Sequence, residues 1–277
     1  MLRFFKKGTY MYIDTHCHLN MLVDKQPNQI LNPNDFLIIK QIIDSARKVD
    51  VKQLITIGTS TDESLNSINI AKKNHNVFCA VGLHPCDCGI NWQKDFEKIK
   101  QMIQNKKENK IVAIGETGLD FFHMPFDKGR QIYALRSHIE LSIEHQLPII
   151  IHVRDAAKDL LRVLKDYKNK IKGVVHCFSQ DLNFAKAILE LKLFLGIGAI
   201  ITYPKNDSLR TTINQIPIEN ILLETDSPFL PPQNLRGKQN LPEYIPIIAE
   251  KLAEIKNTST SKIEKITTLN AQKLFKI

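Results

Sequence analysis

His16 and His18 stand two residues apart at the end of a short apolar run, Tyr12–Asp14. Residues i and i+2 of a strand point to one face, so both imidazoles can grip one ion. Similar placings follow: Glu116 after Ile111–Gly115, His152 closing Pro148–His152, His176 closing Gly173–His176, and Asp226 after Asn220–Glu224. Four histidines and two carboxylates form a ligand set for two divalent cations, with Mg, Mn or Zn all compatible with such donors. A divalent ion lowers the pKa of a bound water enough to supply a nucleophile near neutral pH, so the pattern predicts metal-dependent hydrolysis. Glu116 fits a bridging ligand, and Asp226 fits a ligand that also accepts a proton as general base. Each residue has a plainer explanation. Glu116 could be salt-bridged to Arg154, Asp226 could cap a following helix, and His152 and His176 could be satisfied core histidines. Their recurrence at strand ends favours a site. Asp14 could orient a histidine as an acceptor.

Something must bring these strand ends together. The strand candidates are Tyr12–Asp14, Gln53–Ile57, Val77–Val81, Ile111–Gly115, Pro148–His152, Gly173–His176, Leu193–Ile197 and Asn220–Glu224. Between them lie helical patterns at Phe36–Val49, Asp62–Asn74 (with Thr61 as N-cap), Asp95–Gln104, Gly129–His145, Ala156–Tyr167, Leu182–Leu191 and Ser208–Gln215. Tyr244–Lys256 and Ser259–Phe275 close the chain. Short buried strands alternating with helices predict a TIM-type (β/α)8 barrel, whose active sites sit at the C-terminal ends of the strands. No Gly-x-Gly-x-x-Gly or P-loop follows a strand, which disfavours a nucleotide cofactor. The barrel is expected to occupy residues 11–277 as one domain, with residues 1–10 an N-terminal extension.

The 277 residues suffice for such a barrel, and 43% are hydrophobic, enough for a large core. No apolar run is long enough to span a bilayer. The odd, scattered set Cys17, Cys79, Cys86, Cys88 and Cys177 argues against a disulfide framework and for a reducing, cytoplasmic setting. Cys86-x-Cys88, with no second pair, reads as an adventitious loop pair. The formal charge of +9 favours a polyanionic partner, although 30 of the 38 basic residues are Lys rather than the fork-shaped Arg.

The stretches Asp14-Thr15-His16-Cys17-His18-Leu19, Gly82-Leu83-His84-Pro85, Gly115-Glu116-Thr117-Gly118-Leu119-Asp120, His152-Val153-Arg154-Asp155-Ala156, His176-Cys177-Phe178-Ser179, Glu224-Thr225-Asp226-Ser227-Pro228 and Arg236-Gly237-Lys238 occur in this order. Together they resemble the TatD-type metal-dependent hydrolases, mostly deoxyribonucleases, from Tyr12 to Phe275. The resemblance implies a TIM barrel. It implies one ion on His16, His18 and Asp226, a second on His152 and His176, and Glu116 between them. It further implies 3′-to-5′ exonuclease action on DNA, taken here as single-stranded, by a monomer. Arg154, Arg236 and Lys238 are then the candidates to bind phosphate. His84 would touch phosphate or cap its loop, and Asp120 and Asp155 would support the ligands. Thr117, Gln180, Cys86 and Leu241 depart from the family's usual residues, and none is a proposed ligand. The alternative is a barrel amidohydrolase or esterase, such as an aminoacyl-tRNA deacylase. Many amidohydrolases bridge their ions with a carboxylated Lys, where this chain has Glu116. A non-catalytic nucleic-acid-binding barrel would predict missing ligands, and all six are present.

Overall fold

Runs such as Ile149–Ile151 and Gly173–Val175 are buried throughout, as strands covered by helices must be. In the computed structural model, which describes residues 11–277, eight parallel strands pair in chain order. They are β1 (Tyr12–Cys17), β2 (Val51–Ile57), β3 (Val77–Val81), β4 (Ile111–Asp120), β5 (Ile149–Arg154), β6 (Gly173–Val175), β7 (Phe194–Ile197) and β8 (Ile221–Leu223). The helices are α1 (Pro33–Lys48), α2 (Thr61–Lys73), α3 (Trp92–Gln104), α4 (Lys128–Glu144), α5 (Ala157–Lys165), α6 (Leu182–Glu190), α7 (Asp207–Gln215), α8 (Ile245–Ile255) and α9 (Thr260–Phe275). This is the expected TIM-type (β/α)8 barrel. The expected extension, residues 1–10, lies outside the described residues. No helix among the described residues is long and apolar enough to cross a membrane.

Two apolar layers hold the barrel. Inside it, Ile13, Ile55, Ile57, Ala80, Ala113, Ile150, Val174 and Leu222 pack with Ala271, Leu274 and Phe275 of α9, which plug the end away from the strand C-termini. Between sheet and helices lies the larger cluster, including Leu54, Val81, Ile114, Ile139, Leu160 and Ile248.

Local boundaries differ from expectation in instructive ways. Ser60, not Thr61, caps α2, its hydroxyl accepting from Glu63 N–H, and Thr61 is the first helical residue. Strand β4 runs past Gly115 to Asp120, so Glu116 lies within it rather than beyond its end. A register shift against β5 between Ile114 and Thr117 re-aims the chain there, a common device beside active sites. Gly118, at φ +154°, lets β4 approach β5, since a Cβ would sit 2.0 Å from the His152 carbonyl oxygen.

The barrel closes past the last strand. Asp226 N–H donates to His16 C=O at 2.8 Å, and His18 N–H donates to Ser227 C=O at 2.7 Å. Asp14 bolts the same seam, its carboxylate accepting from Thr225 N–H at 3.0 Å and from Thr225 Oγ1 at 2.6 Å. At the opposite end Asn270 of α9 donates to Ile218 and Ile221 C=O, while Thr268 donates to Met11 C=O. First and last strands are thus clasped at both ends.

Candidate metal centre

All six expected ligands meet at the barrel mouth. His16 lies in β1 one residue before its end, and His18 follows just past the strand. A register shift after Asp14 accompanies this arrangement, and the Nε2 atoms of the two rings lie 3.3 Å apart. Asp226, at φ +58° in the turn after β8, brings Oδ1 to 3.4 Å from His18 Nε2 and 3.7 Å from His16 Nε2. His152 and His176 arrive from β5 and the end of β6, with His152 Nδ1 3.2 Å from His176 Nε2.

Glu116 stands between the two groups with one oxygen toward each. Its Oε2 is 3.3 Å from His16 Nε2 and 3.7 Å from His18 Nε2. Its Oε1 is 2.7 Å from His176 Nε2 and 3.0 Å from His152 Nδ1. His84 adds Nε2 at 3.6 Å from Oε1, while its Nδ1 accepts from Cys86 N–H, so it caps its turn and also faces the cluster. The donor groups His16/His18/Asp226 and His16/Glu116/His176 each lie close enough to hold one ion.

Charge explains why this cluster suits a cation. Glu116 and Asp226 are buried, and among the described residues neither pairs with Lys or Arg; imidazoles alone surround them. Buried carboxylates are held by pairing or by a metal. Burial, with His176 beside it, pushes the His16 imidazole down to about 4, leaving a neutral ring with a lone pair to donate. Burial would raise Glu116 and Asp226, yet the surrounding imidazoles outweigh it and hold both carboxyls below their usual range. Burial opposes charge on His152, but Asp120 and Glu116 raise it to about 9. The donor set therefore fits divalent cations.

Supporting groups orient the imidazoles. Asp120 Oδ2 accepts from His152 Nε2 at 3.1 Å, leaving Nδ1 for the centre, as expected for a carboxylate behind a metal-binding histidine. Cys86 lies beside His84 and Asp120, but that carboxylate already accepts from Phe122 N–H, His123 N–H, His123 Nδ1 and His152 Nε2. Cys86 is exposed and Cys88 buried, and both are free.

Glu224 was not singled out from sequence. It is fully buried, its Oε1 accepts from Cys177 N–H at 2.5 Å, and it lies 3.9 Å from His176 Nδ1. Burial pushes its carboxyl well above the usual range. Gly196 makes the room, since a Cβ there would meet Glu224 Oε2 at 2.1 Å. The available signal was a Glu directly after the apolar run Ile221–Leu223, with a glycine, Gly196, in the apolar run before it.

Other expectations fail. Asp14 does not orient an imidazole; its contacts are His16 N–H and Thr225, because its side chain points into the seam. Glu116 does not pair with Arg154, whose guanidinium lies 3.8 Å from the Phe122 ring centroid. No helix directly follows Asp226, so it caps none. Asp155 is exposed just past β5 and supports no ligand. The cavity over the cluster, about 470 Å³, is lined by His84 and Arg154 but not by Arg236 or Lys238. Those two are exposed, with Arg236 over Tyr203, because their loop runs outward after β8.

A (β/α)8 barrel with histidines and carboxylates converging at its mouth defines a metal-dependent hydrolase class. Residues 13–276 match the TatD related DNase family, and the chain belongs to it. The metal-dependent hydrolase YabD of Bacillus subtilis is 32% identical over 268 residues, covering 96% of this chain and all of that protein. YcfH of Escherichia coli, also named a metal-dependent hydrolase, is 31% identical over 266 residues, 96% of each chain. The crystal structure of YjjV, a TatD homologue from E. coli, superposes with a TM-score of 0.85 at 28% identity, covering 96% of this chain and 98% of that one. The protein is thus a hydrolase acting on ester bonds in a family named for DNase activity.

Proposed function

We propose that the protein hydrolyses phosphodiester bonds of single-stranded DNA as a 3′-to-5′ exonuclease, with two divalent ions, Mg, Mn or Zn, at the barrel mouth. The observation that carries this reading is Glu116, whose two oxygens face two separate imidazole groups. When bound, the two ions supply a water nucleophile near neutral pH and neutralise charge on the phosphate. His16, His18 and Asp226 would hold one; His152 and His176 would hold the other; Glu116 would serve both. Asp226, in the turn beyond β8, accepts the proton of the attacking water. Asp120 keeps His152 Nδ1 turned inward. Arg154 and His84 line the cavity and bind the phosphate. Asp87, Glu116, Asp120 and Asp226 also line it, so the mouth repels an anionic substrate until cations invert its sign. Arg236 and Lys238 would meet phosphates further along the strand.

The test is cleavage of 3′- and 5′-labelled single-stranded DNA after EDTA treatment and readdition of Mg, Mn or Zn, with Glu116→Ala alongside. Shortening from the 3′ end, restored by metal and absent in the variant, is the expected outcome. No cleavage with any metal, in protein that binds two ions, would refute the reading and direct attention to amide and ester substrates, aminoacyl-tRNA first.

A further inference from the structure

Among the described residues two phenylalanines are exposed, Phe122 at 52% and Phe229 at 48%; Phe229 lines the cavity over the cluster, and Phe122 lies against Arg154, which lines it too. Phe229 follows the Asp226 turn and lines the cavity with Leu230, its ring edge-on to His18 at 5.8 Å between centroids. Phe122 comes two residues after Asp120, which also lines the cavity. Its ring lies under the Arg154 guanidinium, and Arg154 lines the same cavity as Phe229. Exposing apolar surface needs a reason when it is concentrated at one place. Here that place is within one side chain of the ligands His18 and, through Arg154 and Asp120, His152. Phe122 also stiffens Arg154 by covering one face of the guanidinium, whose planar fork both binds phosphate and stacks on aromatic faces.

We propose that Phe229 and the Arg154–Phe122 pair are stacking walls that hold unpaired nucleobases on either side of the phosphate seated over the metal centre. The inference rests on the phosphodiesterase reading above and adds its recognition element. A base inside a duplex has both faces covered by its neighbours, so it cannot lie on a protein ring without leaving the stack. Walls of this kind select single strands and frayed ends, and tolerate any sequence because every base has a π-face. The cavity of about 470 Å³ falls in the range of small-ligand sites, so the walls need hold no more than the nucleotides next to the scissile bond.

The experiment compares two metal-activated substrates, a decamer of thymidylate and a decamer of abasic tetrahydrofuran phosphates, which share backbone charge but differ in bases. Wild type should prefer the thymidylate polymer by kcat/KM. In Phe229→Ala, and separately Phe122→Ala, this preference should fall about tenfold or more, as expected for lost base–aromatic stacking. Most of the fall should appear in KM, and Phe229→Trp should restore it. Both side chains are half exposed, so the variants should fold, which circular dichroism and retained ion binding would confirm. A wild type that cleaves both polymers equally, or variants with the wild-type preference, would overturn the stacking proposal alone. A wild type that cleaves neither would remove the phosphodiesterase reading itself, and this proposal with it.

Discussion

Asp226 is asked to do two things, ligate and take a proton, and its surroundings suit both. Burial would favour the neutral acid, but His18 and His16 keep it ionised. Replacing it with Asn removes the base while keeping an oxygen near the ion. Asp226→Asn should lower kcat by about 10²- to 10⁴-fold, the usual worth of a positioned base, with the melting temperature nearly unchanged. Wild-type turnover in that variant would move the base elsewhere. The imidazoles make a second prediction, about pH. In ion-free protein His152 is raised from 6.5 to about 9, and an ion on Nδ1 must displace that proton. Affinity should therefore rise with pH up to about 9, with proton release near neutrality visible by calorimetry in buffers of different ionisation enthalpy. A folded value above the unfolded one gives stability that is complete below about 6.5 and lost as pH rises through about 9. EDTA-stripped protein should lose melting temperature across that window, and ion-loaded protein should not.

At the scale of elements, the strands were legible because buried parallel strands are apolar, β-branched and short; Val77–Val81 was placed to the residue. His152 and His176 were legible for the same reason, as polar residues following the apolar runs Ile149–Ile151 and Gly173–Val175. Strand β4 was cut short because Glu116-Thr117-Gly118 looks like the end of a strand. The polar stretch continues as strand because Glu116 has imidazoles to face and Gly118 permits the close approach to β5. Arg236, Lys238 and Asp155 were misplaced because residues beyond strand ends are positioned by loops, whose course carries no periodicity. Helix α9 makes an element-scale prediction. Asn270, buried and donating to Ile218 and Ile221 C=O, clasps the seam from below. Asn270→Ala leaves buried acceptors unpaired and should cost about 1–3 kcal/mol by urea unfolding, with ion affinity in the folded state retained. An unchanged midpoint would show that α9 holds by apolar packing alone.

For the whole molecule, the arrangement puts structure and chemistry at opposite ends of one barrel. The end away from the mouth is filled by Ala271, Leu274 and Phe275 of α9, while the strand C-termini carry ionisable side chains. Cations held at the mouth as proposed would offset its carboxylates, so metal availability should govern substrate capture as well as turnover.

The seam gives this arrangement a temporal meaning. His16 belongs to the first strand and Asp226 to the turn after the last, and the backbone bonds that close the cylinder join those same two residues. A polypeptide interrupted anywhere before Asp226 lacks both the closure and a ligand. During synthesis, then, no growing chain carries the complete donor set until the eighth strand has been made and has found the first. The centre is complete only once the chain has passed Asp226, and copies broken before that residue should be inert as hydrolases.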